Sequence, residues 1–266
     1  MSAAPSQKIY FLSDFHLGAP NSEKSLAREK KICTFLNEIR KDADEIFLMG
    51  DLFDFWYEYS KVVPKGYVRL LGTLASISDQ GIPLHFFVGN HDMWVRDYFS
   101  QELKLITYFE PITIDRNGVR IHLGHGDGLG PGDEGYKRLK LIFRNPLCQW
   151  LFGILPPQIG MSLAEYFSQK SRAQTLDREE QFLGEDKEWL INYCRDYLEK
   201  YATDYFLFGH RHLPIDWPVK TKNGQRQARY INLGDWIRYD TYAVLEGTNL
   251  QLKAYQQSEQ RIIRPQ

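Results

Sequence analysis

The sequence predicts a mixed α/β (α+β) fold: two packed sheets with helices outside and a site at the strand ends. Short apolar runs at Ile9–Leu12, Glu45–Met49 and Pro83–Phe87 alternate with segments of helical period, as in a βαβαβ unit built on a parallel sheet. Later runs, Gln227 to Leu233, Thr241 to Glu246 and Leu250 to Tyr255, alternate like antiparallel strands of a second sheet. Five apolar runs end in small polar clusters: Asp14-Phe15-His16, Gly50-Asp51, Val88-Gly89-Asn90-His91-Asp92, Gly124-His125-Gly126-Asp127 and Gly209-His210-Arg211-His212. Ligands of parallel sheets gather beyond the carboxyl ends of the strands, where these clusters fall.

In chain order, the first strand is Lys8 to Ser13, followed by an amphipathic helix of about Glu23 to Arg40 with Leu26, Ile32, Phe35, Leu36 and Ile39 at helical spacing. After Asp51, the run Leu52 to Tyr57 is too aromatic for a free loop and is expected to fold over the site. A second helix, about Tyr67 to Asp79, turns at Gly81-Ile82-Pro83 into the third strand. From Leu105 to Leu123 the pattern shortens into small strands, with a tight turn at Asp115-Arg116-Asn117-Gly118. The segment 130–174 interrupts the alternation and reads as a helical insertion. A helix of about Glu185 to Lys200 and a strand Tyr205 to Phe208 deliver the last cluster.

The chain has 266 residues, 43% of them hydrophobic, enough for a sizeable core, and a formal net charge of −1 that argues against coating nucleic acid. Cys33, Cys148 and Cys194 are odd in number and in no Cys-x-x-Cys arrangement, so neither a disulfide framework nor a thiolate zinc site is expected, and a reducing cytoplasm fits best. Met1 to Lys8 has no signal-peptide pattern, and no run approaches the roughly 18 apolar residues of a membrane span. A membrane would be met from the side.

The strand-end residues Asp14, His16, Asp51, Asn90, His125, His210 and His212 comprise two carboxylates, one amide and four imidazoles. Oxygen and nitrogen donors without sulfur suit manganese foremost, or iron or zinc, over magnesium or calcium. Seven donors exceed one tetrahedral ion's needs and supply two ions if one carboxylate bridges; Asp51, in the middle of the set, is the natural bridge. Two ions about 3.5–4 Å apart suit hydrolysis of a phosphate ester or anhydride. His91, beside Asn90, is placed to protonate a leaving oxygen or stabilise transition-state charge, with Asp92 holding its ring. His85 and His122 lie inside strands and read as structural. Phe53, Phe55 and Trp56 read as core or wall, Gly234-Asp235-Trp236 as a structural turn, and Arg211 as either a turn residue or a phosphate contact.

The motifs Asp-x-His, Gly-Asp, Gly-Asn-His-Asp, Gly-His and Gly-His-x-His, in this order from Asp14 to His212, resemble the calcineurin-like metallophosphoesterases. The resemblance implies a single domain over 1–266 with a four-layer αββα fold. It also implies one ion held by Asp14, His16, Asp51 and His212, and another by Asp51, Asn90, His125 and His210. Gly50-Asp51-Leu52-Phe53-Asp54-Phe55-Trp56, His125-Gly126-Asp127 and the insertion resemble the UDP-2,3-diacylglucosamine pyrophosphatases of lipid A synthesis. Those enzymes give UMP and the acylated sugar 1-phosphate at the cytoplasmic face of the bacterial inner membrane. His91 departs from the arginine that many members carry after the motif asparagine. Asp133 and Tyr136 match the family's acidic residue and tyrosine and are expected to contact substrate.

The insertion speaks separately for an acylated, nucleotide-linked glycolipid and a membrane surface. From Tyr136 to Arg172 six basic residues (Lys137, Arg138, Lys140, Arg144, Lys170 and Arg172) face one acidic residue, Glu165, a local charge of +5 beside the apolar run Trp150, Leu151, Phe152, Ile154 and Leu155. The plainer reading makes that run a helix packed on the core. Two competing functions are a phosphoesterase acting on a soluble nucleotide, dinucleotide or phosphoprotein, and an inactive membrane-associated scaffold. The seven intact donors argue against the scaffold; an apolar groove, which a soluble substrate does not need, argues against the first.

Overall fold

The protein is described from a computed structural model that covers residues 8–131, 134–164, 166–168 and 181–265. Its first sheet holds β1 (Lys8–Leu12), β2 (Ala43–Leu48), β3 (Leu84–Phe87) and β4 (Ile106–Tyr108), all parallel. The second holds β5 (Ile112–Arg116), β6 (Val119–Gly124), β7 (Tyr205–Phe208), β8 (Pro214–Lys220) and β9 (Gln227–Leu233), in the order β5-β6-β7-β9-β8. The last strands, β10 (Thr241–Glu246) and β11 (Asn249–Ala254), return to the first sheet, where β10 pairs antiparallel with β1 to give the order β11-β10-β1-β2-β3-β4. Their expected place in the second sheet is therefore corrected for β10 and β11 and kept for β9 alone. Alternation marks a strand with two unlike faces but does not say which edge it joins.

Helices cover both outer faces. On the first sheet lie α1 (Ser22–Ile39), α2 (Val68–Asp79) and the short α3 (Tyr98–Leu103). Asn21 caps α1 by accepting from the Lys24 amide, and Ser25, Arg28, Glu29, Ile32, Phe35, Leu36 and Ile39 form its buried stripe. Helices α4 (Glu134–Arg144), α5 (Pro146–Ile154) and α6 (157–164) follow β6, and α7 (Trp189–Lys200) backs the second sheet through Leu190, Ile191, Cys194 and Leu198.

Three cores result, and strand alternation sorts residues among them. On β1, Tyr10 and Leu12 face the helices, while Ile9 and Phe11 face the second sheet and meet Ile121, Leu123, Leu207, Ile231 and Leu233. The order helix, sheet, sheet, helix is the four-layer αββα arrangement. β8, unanticipated because Pro214 and Pro218 punctuate it, is an edge strand, where proline's missing N–H leaves no ladder partner unpaired.

The helices between β6 and α7 differ from these cores. Leu141, Leu147, Trp150, Leu151, Ile154 and Ile159 are each more than half exposed, so Trp150 to Leu155 is not a core helix. Phe152 turns inward, onto Phe55, Tyr57 and Trp94. Tyr57 and Trp94 also donate hydrogen bonds to the carbonyls of Gln149 and Phe143, anchoring α4 and α5 to the loops after β2 and β3. Among the described residues no helix is long and apolar enough to cross a membrane. Leu245→Ala, between the sheets, should lower unfolding free energy by about 2–5 kcal/mol in urea titration. Leu141→Ala should change it by no more than about 0.5 kcal/mol.

Candidate metal centre

The polar clusters meet in one cleft because the strand ends are braced together. Amide hydrogen bonds run from Asp14 to the Gly50 carbonyl, His16 to Asp51, Gly209 to His125 and Trp236 to Asp14. Asp14, His16, Asp51, His210 and His212 all have φ between 44° and 65°, the left-handed region that non-glycine residues avoid. Each such residue costs about 1–3 kcal/mol and persists where surrounding structure holds it, commonly at a functional site. Two glycines allow the close approach. A Cβ on Gly89 would overlap the Asp51 carboxylate, and one on Gly209 would overlap the Ser13 hydroxyl and Asp14.

Two donor sets share Asp51. Ligand atoms of Asp14, His16, Asp51 and His212 lie within 4.8 Å of one another, as do those of Asp51, His125 and His210, while Asn90 Oδ1 lies 3.1 Å from His125 Nε2. The structure thus brings together all seven residues. Each carboxylate has one oxygen tied to a loop amide: Asp14 Oδ2 accepts from His210 at 3.0 Å and Asp51 Oδ1 from His91 at 2.8 Å. The other oxygens, Asp14 Oδ1 and Asp51 Oδ2, are buried and accept no hydrogen bond. Asp51 Oδ2 lies 3.7 Å from His16 Nε2 on one side and 3.3 Å from His125 Nε2 on the other. His16 Nε2 and His212 Nε2 face each other at 3.0 Å. Buried oxygens and imidazole nitrogens converging without donors fit a divalent cation, since isolated ions pay heavily for leaving water.

The charged groups of the cleft set one another's protonation. Burial pushes the His16 ring pKa down to about 3, leaving a neutral ring with a lone pair. At His125 burial acts the same way but the Asp51 carboxylate outweighs it, and the pKa rises to about 10. Burial would raise both Asp14 and Asp51, yet the neighbouring imidazoles hold each below the ordinary carboxylate range. His125 Nδ1 donates to the Met49 carbonyl at 2.8 Å, which aims Nε2 into the cleft.

His91 stands at the rim with its Nδ1 donating to the Asp54 carbonyl at 2.8 Å and its ring edge-on to His16. Asp92 does not hold that ring, a correction to its expected role. Its two oxygens accept from the Gly89 and Leu52 amides at 2.7 and 2.8 Å, and burial together with the Asp51 charge pushes its pKa up to about 7. Arg211 is likewise corrected: instead of offering a phosphate contact it is buried in an ion pair with Glu188. Tyr136 reaches the site, its hydroxyl donating to Asp127 Oδ2 at 2.7 Å and its ring 6.2 Å from that of His210. Asp133 lies outside the described residues, as do Glu165, Lys170 and Arg172 of the charge-rich stretch. Lys140 turns inward onto Asp127 and Arg144 pairs with Glu110 at the surface, so the +5 of that stretch is partly offset by neighbouring acids.

Two site residues were missed. Asp54 Oδ1 stands 3.9 Å from His16 Nδ1 and 3.8 Å from His91 Nδ1, and Asp235 Oδ2 stands 3.7 Å from His212 Nδ1. Such carboxylates behind imidazoles orient rings and raise their basicity. Asp54, an acid inside an aromatic run, and Gly234-Asp235, a second Gly-Asp after a strand, were the available signals. His85 and His122 are structural, stacked on Phe47 and Tyr197 respectively. Gly89→Ala should displace Asp51 and cut the metal retained after gel filtration, measured by elemental analysis; full retention would contradict the shared role of Asp51.

Comparison with known proteins agrees with this geometry. The family model for calcineurin-like phosphoesterases matches residues 7–214. A Porphyromonas gingivalis protein named UDP-2,3-diacylglucosamine hydrolase is 36% identical over 270 residues, covering 95% of this chain and 99% of the relative. Proteins of the same name from Pseudomonas aeruginosa and Photorhabdus laumondii are 30% and 29% identical, covering 86% and 85% of this chain and 91% and 90% of their own lengths. With the layered fold and the donor sets at its strand ends, this chain belongs to the calcineurin-like phosphoesterase family.

Proposed function

We propose that this chain hydrolyses the pyrophosphate bond of UDP-2,3-diacylglucosamine, releasing UMP and 2,3-diacylglucosamine 1-phosphate for lipid A synthesis. The name carried by its relatives supports the substrate. The observation that carries the chemistry is Asp51 Oδ2, one buried oxygen without a hydrogen-bond donor facing both donor sets. The family implies divalent metal ions, and we assign one to Asp14, His16, Asp51 and His212 and one to Asp51, Asn90, His125 and His210, with manganese ahead of iron or zinc. Such ions, when bound, supply Lewis-acid polarisation of a phosphoryl oxygen and activation of water.

The chain's own side chains complete the reading. With Nδ1 committed to the Asp54 carbonyl, His91 leaves Nε2 for a leaving oxygen or for developing charge. Tyr136, Asp127 and Lys140, joined by bonds of 2.7 and 2.5 Å, form a polar wall beside His210 for the sugar or phosphate. We assign 130–174 as a lid whose exposed apolar residues receive acyl chains and touch the cytoplasmic face of the inner membrane. Each buried methylene contributes about 0.8 kcal/mol, so a few of them outweigh most single polar contacts.

Manganese-loaded protein offered UDP-diacylglucosamine, unacylated UDP-sugars and simple phosphodiesters should show the highest kcat/KM for the first; preference for a water-soluble member would refute the lipid substrate. His91→Ala should keep its metal while turnover falls roughly 10²–10⁴-fold, and metal loss would make it a ligand instead. Trp150→Glu combined with Leu151→Glu should weaken use of the acylated substrate and vesicle binding, while hydrolysis of a small chromogenic phosphodiester and the thermal midpoint stay unchanged. Equal losses on both substrates would remove the lid from the reading.

A further inference from the structure

His210 and His212 sit on one loop yet belong to different donor sets, and a single residue separates them. That residue, Arg211, points out of the cleft. Its amide donates to the Gly209 carbonyl at 2.7 Å, its Nε to Glu188 Oε1 at 3.0 Å and a terminal guanidinium nitrogen to the Gln181 carbonyl at 2.8 Å. The guanidinium also lies over the Trp189 ring, 5.4 Å from its centroid. Both charged side chains are almost wholly buried, at 3% and 2% exposure. Glu188 is the N-cap residue of α7, and Gln181 lies in the stretch that leads into α7.

A buried ion pair is a poor device for stability alone, because two apolar residues of similar volume do as well or better. What an apolar pair does not supply is direction. A planar guanidinium held by a carboxylate, a carbonyl and an indole face has one orientation, and its backbone is fixed with it. The adjacent imidazoles sit at φ 65° and 57°, conformations that need such over-determination.

We propose that Arg211 is a positioning residue. With Glu188 and the Gln181 carbonyl it locks the loop so that His210 and His212 present their rings to the two separate donor sets, and it ties that geometry to the start of α7. The inference rests on the reading of those donor sets as metal sites.

The test separates loop geometry from stability. Full-length wild type, Arg211→Lys and the double variant Arg211→Met/Glu188→Met are compared for manganese affinity by chelator competition and for thermal midpoint in the presence of excess chelator. The double variant, which leaves no unpaired buried charge, should keep the wild-type midpoint while the manganese dissociation constant rises roughly 10–100-fold, the range for lost outer partners of metal ligands. Arg211→Lys, which keeps a cation beside Glu188 but cannot also hold the Gln181 carbonyl, should give a smaller rise at an unchanged midpoint. Wild-type manganese affinity in the double variant, or affinity and midpoint falling together in both variants, would overturn the proposal. If the double variant does not fold, Arg211→Lys decides: weakened affinity at an unchanged midpoint supports the proposal and unchanged affinity overturns it. Failure of the wild type itself to bind manganese would overturn the metal reading, and this inference with it.

Discussion

Two buried carboxylates, each with one oxygen tied to a loop amide and the other left without a donor, set the terms for the rest of the molecule. Asp14 and Asp51 are fully buried, yet neighbouring imidazoles hold them ionised. Charge held this way in a low-dielectric interior is tolerable only where cations or aligned dipoles compensate it. The compensation comes from every side: His125 on one flank, His16 and His212 on the other, and the amides of His91 and His210 from behind. The left-handed strand ends and the bare Cα atoms of Gly89 and Gly209 follow from crowding so many polar groups around two side chains.

The two sheets make that crowding possible. Asp14, Asp51 and Asn90 come from the first sheet and His125, His210 and His212 from the second, so neither sheet completes a donor set alone. The core between them, filled by Phe11, Phe47 and Phe87 against Ile121, Leu207 and Ile231, sets their separation. Close-packed interiors resist small displacements, which is what a constellation of ligands requires. The helices of 134–164 stand outside that core. They are anchored by Tyr57, Trp94 and Phe152 and leave Leu141, Leu147, Leu151 and Ile154 exposed.

Charged residues near the cleft divide into those that face it and those that build it. Asp92 organises the Gly-Asn-His-Asp turn by accepting two amides, Arg211 pairs with Glu188, and Lys140 lies on Asp127. From sequence, Asp92 was expected to hold the His91 ring, Arg211 was open to a phosphate contact, and Lys140 counted toward a basic surface. Asp54 and Asp235 are the reverse case: they look like loop acids in sequence and stand behind His91, His16 and His212 in space.

The sequence by itself determined the βαβαβ start, the positions of β1 to β3, α1 and α2 to within a few residues, and the set of strand-end donors. These are local matters: hydrophobic period records which face of a segment is buried, and a polar cluster behind an apolar run marks a strand end whatever lies beside it. Tertiary structure alone decided that β10 and β11 close the first sheet, that β8 runs along an edge despite its prolines, and that Trp150, Leu151 and Ile154 face outward. It alone decided that Arg211 and Asp92 turn from the cleft while Asp54 and Asp235 support it. Strand partnership and the direction of a charged side chain are set by groups distant in the chain, as Arg211 is by Glu188, and no local pattern encodes a contact between segments that meet only after folding.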